Sequence, residues 1–311
     1  MTETSPTAWR AIRERGSRAG ILLTAIAHRR LGAWLAEPIL WGVAAYFFLT
    51  DSGMRRASRK YLEKVGKPGW RNVYRHYLSF ALTSLERVDA WSDRLKSFSI
   101  HYFGIEHLDR LAAAHRGAVL IGAHMGNIDG LRALGTRRQA RVNILMDRRN
   151  SRQFSQILKR YAPQMEEGLL EYEPGSIDQL LQLKNAVESG EFVGLLGDRV
   201  AAESARGAAR VSEALFLGER APFPHAPFLF AAHLQCPVLL VFSLRRARRA
   251  YDFYVEPFAE RIELPEDSRN AALDAYAQAY AARLEHYCRK YPLQWFNFYD
   301  FWRKESYGRD Q

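Results

Sequence analysis

The sequence has few cysteines and no apolar segment long enough to cross a membrane easily. Only two cysteines, Cys236 and Cys288, occur among 311 residues, so a disulfide-rich secreted domain is excluded. We predict neither a disulfide nor a zinc site. The strongest membrane signal, Pro38–Leu49, is twelve residues long; as a helix it covers roughly 18 Å of a hydrocarbon core about 30 Å thick. A membrane span is therefore not expected.

Several motifs of common enzyme classes are also missing. The chain has no Gly-x-Ser-x-Gly elbow, which disfavours a serine hydrolase, and neither a Walker loop nor a Rossmann glycine fingerprint. Low-complexity tracts, internal repeats and a secretory signal are likewise not evident. With a hydrophobic fraction of 48%, the sequence predicts a globular protein whose catalytic body stays in the cytoplasm.

Positive charge is concentrated near the N terminus. The formal net charge is +11, and residues 1–76 hold 14 Lys/Arg against 5 Asp/Glu. A basic surface can bind nucleic acid or anionic lipid, but here the charge lies beside apolar material and not along a stacking groove. The pattern favours lipid over nucleic acid. We predict a basic, helical, membrane-associating region at 1–100 and a catalytic domain at 101–311.

The apolar segment Pro38–Leu49 has tryptophan and other aromatic residues within it and arginines on both sides. This composition is typical of an interfacial or half-inserted helix, with Pro38 at its first helical position; a buried core helix is the alternative. Trp70–Leu95 places apolar residues at helical spacing, including Val73, Phe80 and Leu85, and predicts an amphipathic helix.

After Gly117 short apolar runs alternate with helical patterns. The runs AVLIG, VNILM, FVGLL and PVLLVF predict strands covered on both faces, and Ser151–Tyr161, Ser176–Glu188 and Pro227–Gln235 predict helices. YDFYVEPF and a long helix at Ser268–Tyr291 would complete the domain. The alternation predicts an α/β fold with a mainly parallel or mixed central sheet flanked by helices. Functional groups are then expected at the carboxyl ends of the strands.

His124 and Asp129 are the candidate catalytic residues. His124 ends the first predicted strand, GAVLIGAH, and Asp129 falls in the first turn of the helix predicted after it. A loop-to-helix turn, with Asn127 as the N-cap, would let Asp129 accept a hydrogen bond from His124 Nδ1. Nε2 would then be free to take a proton from a hydroxyl group.

The His-x4-acid spacing alone is weak evidence, because chance supplies a second example, His101 and Glu106. These two residues precede the first predicted strand, and we interpret them as surface or packing residues. The alternative for His124 is a hydrogen-bonded structural histidine in a turn. Its position at a strand end favours catalysis.

Beyond the motif, GIEHLDRLAAAHRGAVLIGAHMGNID resembles the core of the bacterial lipid A late acyltransferases, relatives of the lysophospholipid acyltransferases. ILMDRRNSRQF resembles a second block of that family, best at Arg149 and Asn150. GLLGDRVAAESARG and FLGERAPFPHAPFLFAAH resemble a third block, and QWFNFYDFW resembles the family's aromatic ending. The similarity extends over about residues 35–303.

The resemblance implies transfer of a fatty acyl group from an acyl carrier protein or coenzyme A thioester to a hydroxyl of a lipid-like acceptor. It makes His124 the general base and Asp129 the residue that orients it, without an acyl-enzyme, cofactor or metal. Two positions depart from the family: aspartate replaces the usual glutamate at 129, and Arg199 replaces the usual glutamine. Both departures bear on the identity of the acceptor. The implied partners are membrane lipids and the acyl donor, at the cytoplasmic face of the inner membrane.

Candidate substrate-binding residues follow the predicted strands. Arg148 and Arg149 follow VNILM, and Asp198 and Arg199 follow FVGLL; together with Asn127 they could bind a phosphate, carboxylate or sugar. The alternative is an Asp198–arginine salt bridge that holds loops together. The arginine run Arg245–Arg249 predicts a solvated or lipid-facing patch. A competing interpretation of the whole chain is a non-catalytic, lipid-binding scaffold.

Overall fold

The computed structural model describes residues 33–90, 98–127, 141–146, 168–171, 176–199 and 210–302. Several predictions fall outside these ranges: Asp129, Arg148, Arg149, the helix Ser151–Tyr161 and the N-terminal 32 residues. In the described residues the chain forms a mostly parallel central sheet flanked by helices, which confirms the predicted fold class.

Seven strands form the central sheet in the order β1-β9-β8-β2-β5-β3-β4, and two more form a separate antiparallel hairpin, β6–β7. All neighbours in the central sheet pair in parallel except β8 and β9. The strands are β1 (Ser99–Phe103), β2 (Ala118–Gly122), β3 (Val142–Met146), β4 (Leu169–Glu171), β5 (Phe192–Leu196), β6 (Val211–Phe216), β7 (Glu219–Pro224), β8 (Val238–Ala247) and β9 (Ala250–Ala259).

Helices cover both faces of the sheet. They are α1 (Ala33–Thr50), α2 (Ser52–Lys64), α3 (Trp70–Ala90), α4 (Glu106–Ala113), α5 (Ile177–Glu188), α6 (Ala226–Leu234) and α7 (Arg269–Lys290), with a 3-10 turn at Glu266–Ser268. Ser176 caps α5 by accepting from the Gln179 amide, as its position before a helical pattern suggests.

The larger core lies on the face of the sheet covered by α7. Val119 and Ile121 of β2, Tyr280 of α7 and Tyr61 of α2 belong to one cluster of buried side chains. The opposite face is covered by α4 through Leu108. The N-terminal helices therefore share their apolar core with the sheet. The predicted division at residue 100 stays a prediction.

Two details of the N-terminal prediction are wrong: the place of Pro38 in its helix and the burial of Phe80. Pro38 is not the first helical residue but lies inside α1, five residues after Ala33. In α3, Phe80 is 41% exposed, whereas His76 and Glu86 are buried. These two polar residues turn inward because Ser58 and the Trp295 carbonyl bind His76, and Arg245 and Tyr251 bind Glu86.

The strand predictions are confirmed for AVLIG, VNILM and FVGLL, with three corrections. AVLIG is the second strand, because β1 precedes it and includes His101. The strand PVLLVF continues to Ala247, since β8 forms a long antiparallel pair with β9. The hairpin β6–β7 is not predicted, because its first strand buries Ser212 and Ala214 and exposes Leu215, which leaves no alternation of hydrophobicity in VSEALF.

Within the described residues, none of the helices combines the length and the apolar character needed to span a membrane. The outer side of α1 nevertheless presents four large apolar residues to solvent: Ile39, Trp41, Tyr46 and Leu49, which are 46%, 56%, 61% and 72% exposed. Their angular positions at 100° per residue fall within one side of the helix. The inner side packs through Leu40 and Ala44.

Candidate active site

Two adjacent parallel strands bring the central pair of side chains together. Gly122, the last residue of β2, pairs with Leu196, the last residue of β5. His124 and Asp198 each lie two residues further on, so they emerge side by side at the same edge of the sheet. The Gly197 amide continues the ladder by donating to the Gly122 carbonyl at 3.0 Å. This is the strand-end position where the sequence places functional groups.

His124 and Asp198 are joined by three hydrogen bonds. The ring Nδ1 lies 2.9 Å from Asp198 Oδ1, and the His124 backbone N–H donates to both carboxylate oxygens at 3.0 Å. The side chain of His124 is 31% exposed, whereas that of Asp198 is 1% exposed. An ionised Asp198 requires the proton on Nδ1, which leaves Nε2 as the ring atom that can accept one.

Electrostatics keep this pair in the form that a general base needs. Burial, with the positive charges of Arg199 and Arg87, lowers the pKa of His124 below its ordinary value of 6.5, although Asp198 opposes the shift. Burial raises the pKa of Asp198, but the contacts with His124, Arg199 and Trp295 outweigh it and hold the pKa below its ordinary value. At neutral pH the pair is therefore a neutral imidazole beside a carboxylate.

The turn that carries His124 is fixed by its neighbours. Gly126 has a φ of +62°, and a Cβ there would lie 2.1 Å from the Ser243 carbonyl oxygen of β8. Only glycine fits such a left-handed position at that distance. The next residue, Asn127, donates its backbone N–H to the same carbonyl at 2.8 Å. The turn is thus held against β8.

The other predicted site residues differ in their contacts and in whether the structure describes them. The side chain of Asn127 is buried, and its Oδ1 has no hydrogen-bond partner among the described residues. Arg199 donates to the Phe296 carbonyl at 2.8 Å and lies over the Tyr299 ring. Asp129, Arg148 and Arg149 are outside the described residues; among the predicted site residues that are described, His124, Asp198 and Arg199 lie together. Substrate contact by any of these residues stays a prediction.

The arginine run Arg245–Arg249, which begins inside β8, differs in part from its prediction. Arg246 and Arg248 are exposed and pair with Asp252 and Glu37. The prediction of a solvated patch is wrong for Arg245, because its guanidinium binds the buried Glu86 and only 19% of its side chain is exposed. His101, the alternative histidine, lies on the edge strand β1 with 52% of its side chain exposed. That environment fits the surface role predicted for it.

Sequence reasoning missed Trp295 and Arg87. Trp295 is fully buried and donates its indole N–H to Asp198 Oδ2 at 2.9 Å. It belongs to the segment QWFNFYDFW, whose aromatic character was visible but whose partner was not. Arg87 lies in the last turn of α3 and acts on His124 through its charge. Nothing in the local sequence of α3 indicates that its end approaches β2.

One comparison with known proteins identifies the family of the chain. A family model described as bacterial lipid A biosynthesis acyltransferase matches residues 68–304. The match includes β1 to β9, both members of the His124–Asp198 pair and the Trp295 segment. A comparison with curated proteins gives no match. Within the described ranges, no group of three or more His, Cys, Asp or Glu side chains could hold a metal ion.

Proposed function

Because the chain belongs to the bacterial lipid A biosynthesis acyltransferase family, we propose that it moves a fatty acyl group from a carrier thioester to a hydroxyl of a lipid-like acceptor, with His124 as the general base. Family membership implies an acyltransferase of the lipid A late type. The residues, the donor, the acceptor and the membrane location are our proposals. The observation that carries the mechanism is the His124 ring, bound to a buried carboxylate through Nδ1.

In the proposed reaction His124 Nε2 takes the proton of the acceptor hydroxyl as its oxygen attacks the thioester carbonyl. The new carbon–oxygen bond forms, the carbon–sulfur bond breaks, and the imidazolium returns the proton to the departing thiolate. Asp198 stabilises the imidazolium and fixes the ring orientation, so it is a positioning residue. General-base catalysis of this kind contributes about 10²- to 10⁴-fold to a rate. No acyl-enzyme is required.

Asp129 keeps its place in the proposal as the acid of the His-x4-acid motif. The hydrogen bond that the sequence assigned to it, from His124 Nδ1, is made in the described residues by Asp198. A role for both carboxylates in one site is compatible with the family resemblance. Substituting each carboxylate separately distinguishes which of them orients His124.

An acyl carrier protein is the proposed donor, with coenzyme A as the alternative. Carrier proteins are acidic, and β8 runs parallel to β2 and ends on the same side of the sheet, with Arg246 exposed near its end and Arg248 exposed just beyond it. Positive charge at the rim of a site speeds the encounter with an acidic partner and makes it salt-sensitive. Coenzyme A is also anionic but offers a smaller surface to these arginines.

We expect acyl carrier protein to outcompete acyl coenzyme A at equal concentration, by an advantage that shrinks as ionic strength rises. The double variant Arg246→Gln/Arg248→Gln should raise KM for the carrier donor severalfold and leave that for coenzyme A nearly unchanged. Transfer of a labelled acyl chain to lipid, followed by mass spectrometry, measures the donor preference and the KM for each donor.

The matched control removes two exposed arginines at the opposite edge of the sheet, Arg116 before β2 and Arg141 before β3. Arg116→Gln/Arg141→Gln has the same net charge as the test variant and should behave like wild type. A preference for coenzyme A, or a carrier preference that does not change with ionic strength, would contradict electrostatic steering of the donor. It would not contradict the proposed role of His124.

The proposed location is the cytoplasmic face of the inner membrane, through the exposed side of α1. Ile39, Trp41, Tyr46 and Leu49 form its apolar surface, and exposed Arg56 and Arg59 of α2 follow. An amphiphilic acceptor resides in the membrane, so an enzyme lying on that surface meets it directly. Apolar insertion with basic residues beside it is the pattern of interfacial helices.

Replacing Ile39, Trp41, Tyr46 and Leu49 by serine should lower partitioning onto vesicles that contain phosphatidylglycerol by about tenfold or more, since each removes apolar area that would otherwise leave water. Salt should weaken wild-type binding only in part. Vesicle sedimentation measures the partitioning.

The control for this surface is a pair of equally exposed apolar residues on α5, Ile177 and Leu181, which are 73% and 53% exposed. Ile177→Ser/Leu181→Ser should sediment like wild type. If the α1 variant still sediments fully, or the α5 variant is released as well, α1 is not the membrane-binding surface.

A further inference from the structure

The segment Gln294–Phe296 runs beside the turn that carries His124. Met125 and Trp295 form an antiparallel bridge. The Phe296 N–H donates to the His124 carbonyl at 2.8 Å, and the Gly126 N–H donates to the Gln294 carbonyl at 2.9 Å. The backbone of the histidine turn is thus paired with a segment about 170 residues away in sequence.

The side chain of Trp295 binds the carboxylate that faces His124. Asp198 Oδ2 accepts from the indole N–H at 2.9 Å, and Oδ1 lies 2.9 Å from His124 Nδ1. Each carboxylate oxygen therefore has its own side-chain partner, and the plane of the carboxylate is fixed. We infer that Trp295 is a positioning residue for acyl transfer, whose indole N–H holds Asp198 so that one oxygen meets the His124 ring.

Trp295 is itself held in place by contacts with residues of α2 and α3. His76 Nε2 lies 2.9 Å from the Trp295 carbonyl, and Ser58 Oγ lies 2.9 Å from His76 Nδ1. Burial lowers the pKa of His76 to about 4, against the opposing effect of its bond to Trp295. His76 is therefore neutral at physiological pH and donates from Nε2 to the carbonyl. The Tyr61 ring meets the indole edge-on at 5.0 Å.

These contacts connect the N-terminal helices to the reacting group. Ser58 is on α2 and His76 is on α3, so the chain of contacts runs from these helices through Trp295 and Asp198 to His124. Fully satisfied buried networks of this kind hold a side chain in one orientation. The Trp295 side chain is fully buried and its indole N–H is bonded to Asp198, so the side chain acts on the reacting group through that carboxylate.

The indole N–H also weakens the attraction between Asp198 and a protonated His124. A carboxylate that loses one donor binds the remaining partner more strongly. Without the indole N–H, an imidazolium at His124 would be better stabilised, and the ring would take up its proton at higher pH. A Trp295 with only a packing role would not produce this change.

The test compares Trp295→Phe with Trp302→Phe. Both tryptophans are buried and their rings are neighbours, but the Trp302 indole donates to the Phe216 carbonyl at 3.3 Å and not to Asp198. Both variants lose similar volume and one hydrogen bond. We expect Trp295→Phe to lower kcat about tenfold with little change in KM, and to move the acid limb of the pH–rate profile to higher pH. Trp302→Phe should keep the wild-type profile.

If Trp295→Phe does not fold, benzothienylalanine at position 295 replaces the N–H by sulfur in a ring of nearly the same shape. An unchanged acid limb in a folded variant at 295, or an equal shift in Trp302→Phe, would overturn the inference. The inference rests on the proposed function. NMR of the His124 ring distinguishes a failure of the positioning role from a failure of that function. A His124 ring that titrates at higher pH in the variant supports the positioning role, whereas a His124→Ala protein with full activity would remove the function.

Discussion

His124→Ala is expected to reduce acyl transfer by about a thousandfold or more while the protein remains folded. The substitution removes the only atom proposed to take the acceptor proton. The side chain is 31% exposed, and the turn that carries it is held by backbone bonds to Ser243, Gln294 and Phe296. These bonds do not depend on the imidazole. Transfer rates and the denaturant midpoint, measured on the same preparations, separate loss of chemistry from loss of fold.

His101→Ala is the control, because its histidine has the same motif spacing but lies exposed on the edge strand β1. It should retain wild-type turnover. Wild-type turnover in His124→Ala would favour a non-catalytic scaffold, and an inactive His101→Ala beside an active His124→Ala would show that the wrong pair was chosen.

Asp198→Asn is expected to have the second largest effect, a loss of about 10²- to 10⁴-fold in kcat. An amide cannot balance the charge of the imidazolium, and it can present an N–H to Nδ1 where an acceptor is needed. Asp198 raises the pKa of His124, so its removal should move the acid limb of the residual activity to lower pH. That direction is opposite to the one expected for Trp295→Phe.

The matched control is Asp252→Asn on β9. Asp252 is also buried, but its carboxylate accepts from the Tyr291 hydroxyl at 2.7 Å and pairs with Arg246. It should leave the acid limb in place. Asp129→Asn, measured in parallel, is also expected to be severely impaired. If only Asp129→Asn lowers the acid limb and Asp198→Asn is active, the orienting acid is Asp129.

The sequence identifies His124 because two independent features coincide there, a strand end and a His-x4-acid motif. Asp198 is also placed at a strand end, but its contact with His124 depends on β2 and β5 being neighbours. Their pairing joins residues more than 70 positions apart, and no local pattern encodes it. Sequence reasoning therefore offers only ligand contact or a salt bridge for Asp198, and the ligand contact stays a prediction; the structure adds the bond to His124.

Buried polar residues are the second reason that sequence reasoning stops short. Helical spacing in α3 predicts an apolar inner side, yet His76 and Glu86 lie inside because distant partners satisfy them. Periodicity carries no information about such partners. The hairpin β6–β7 escapes prediction for a related reason: its first strand buries Ser212 and Ala214 but exposes Leu215, so hydrophobicity does not alternate along it.

The central claim is that a neutral His124, oriented by Asp198, accepts the proton in acyl transfer. Its most direct test is the pH dependence of the single-turnover rate, measured beside the NMR titration of the His124 ring in the same wild-type protein. We predict that the rate falls to half in acid at the pH where His124 takes up its proton. That pH should lie below 6.5, because burial and the charges of Arg199 and Arg87 lower the pKa of His124. A rate that stays constant while His124 becomes protonated would contradict the claim.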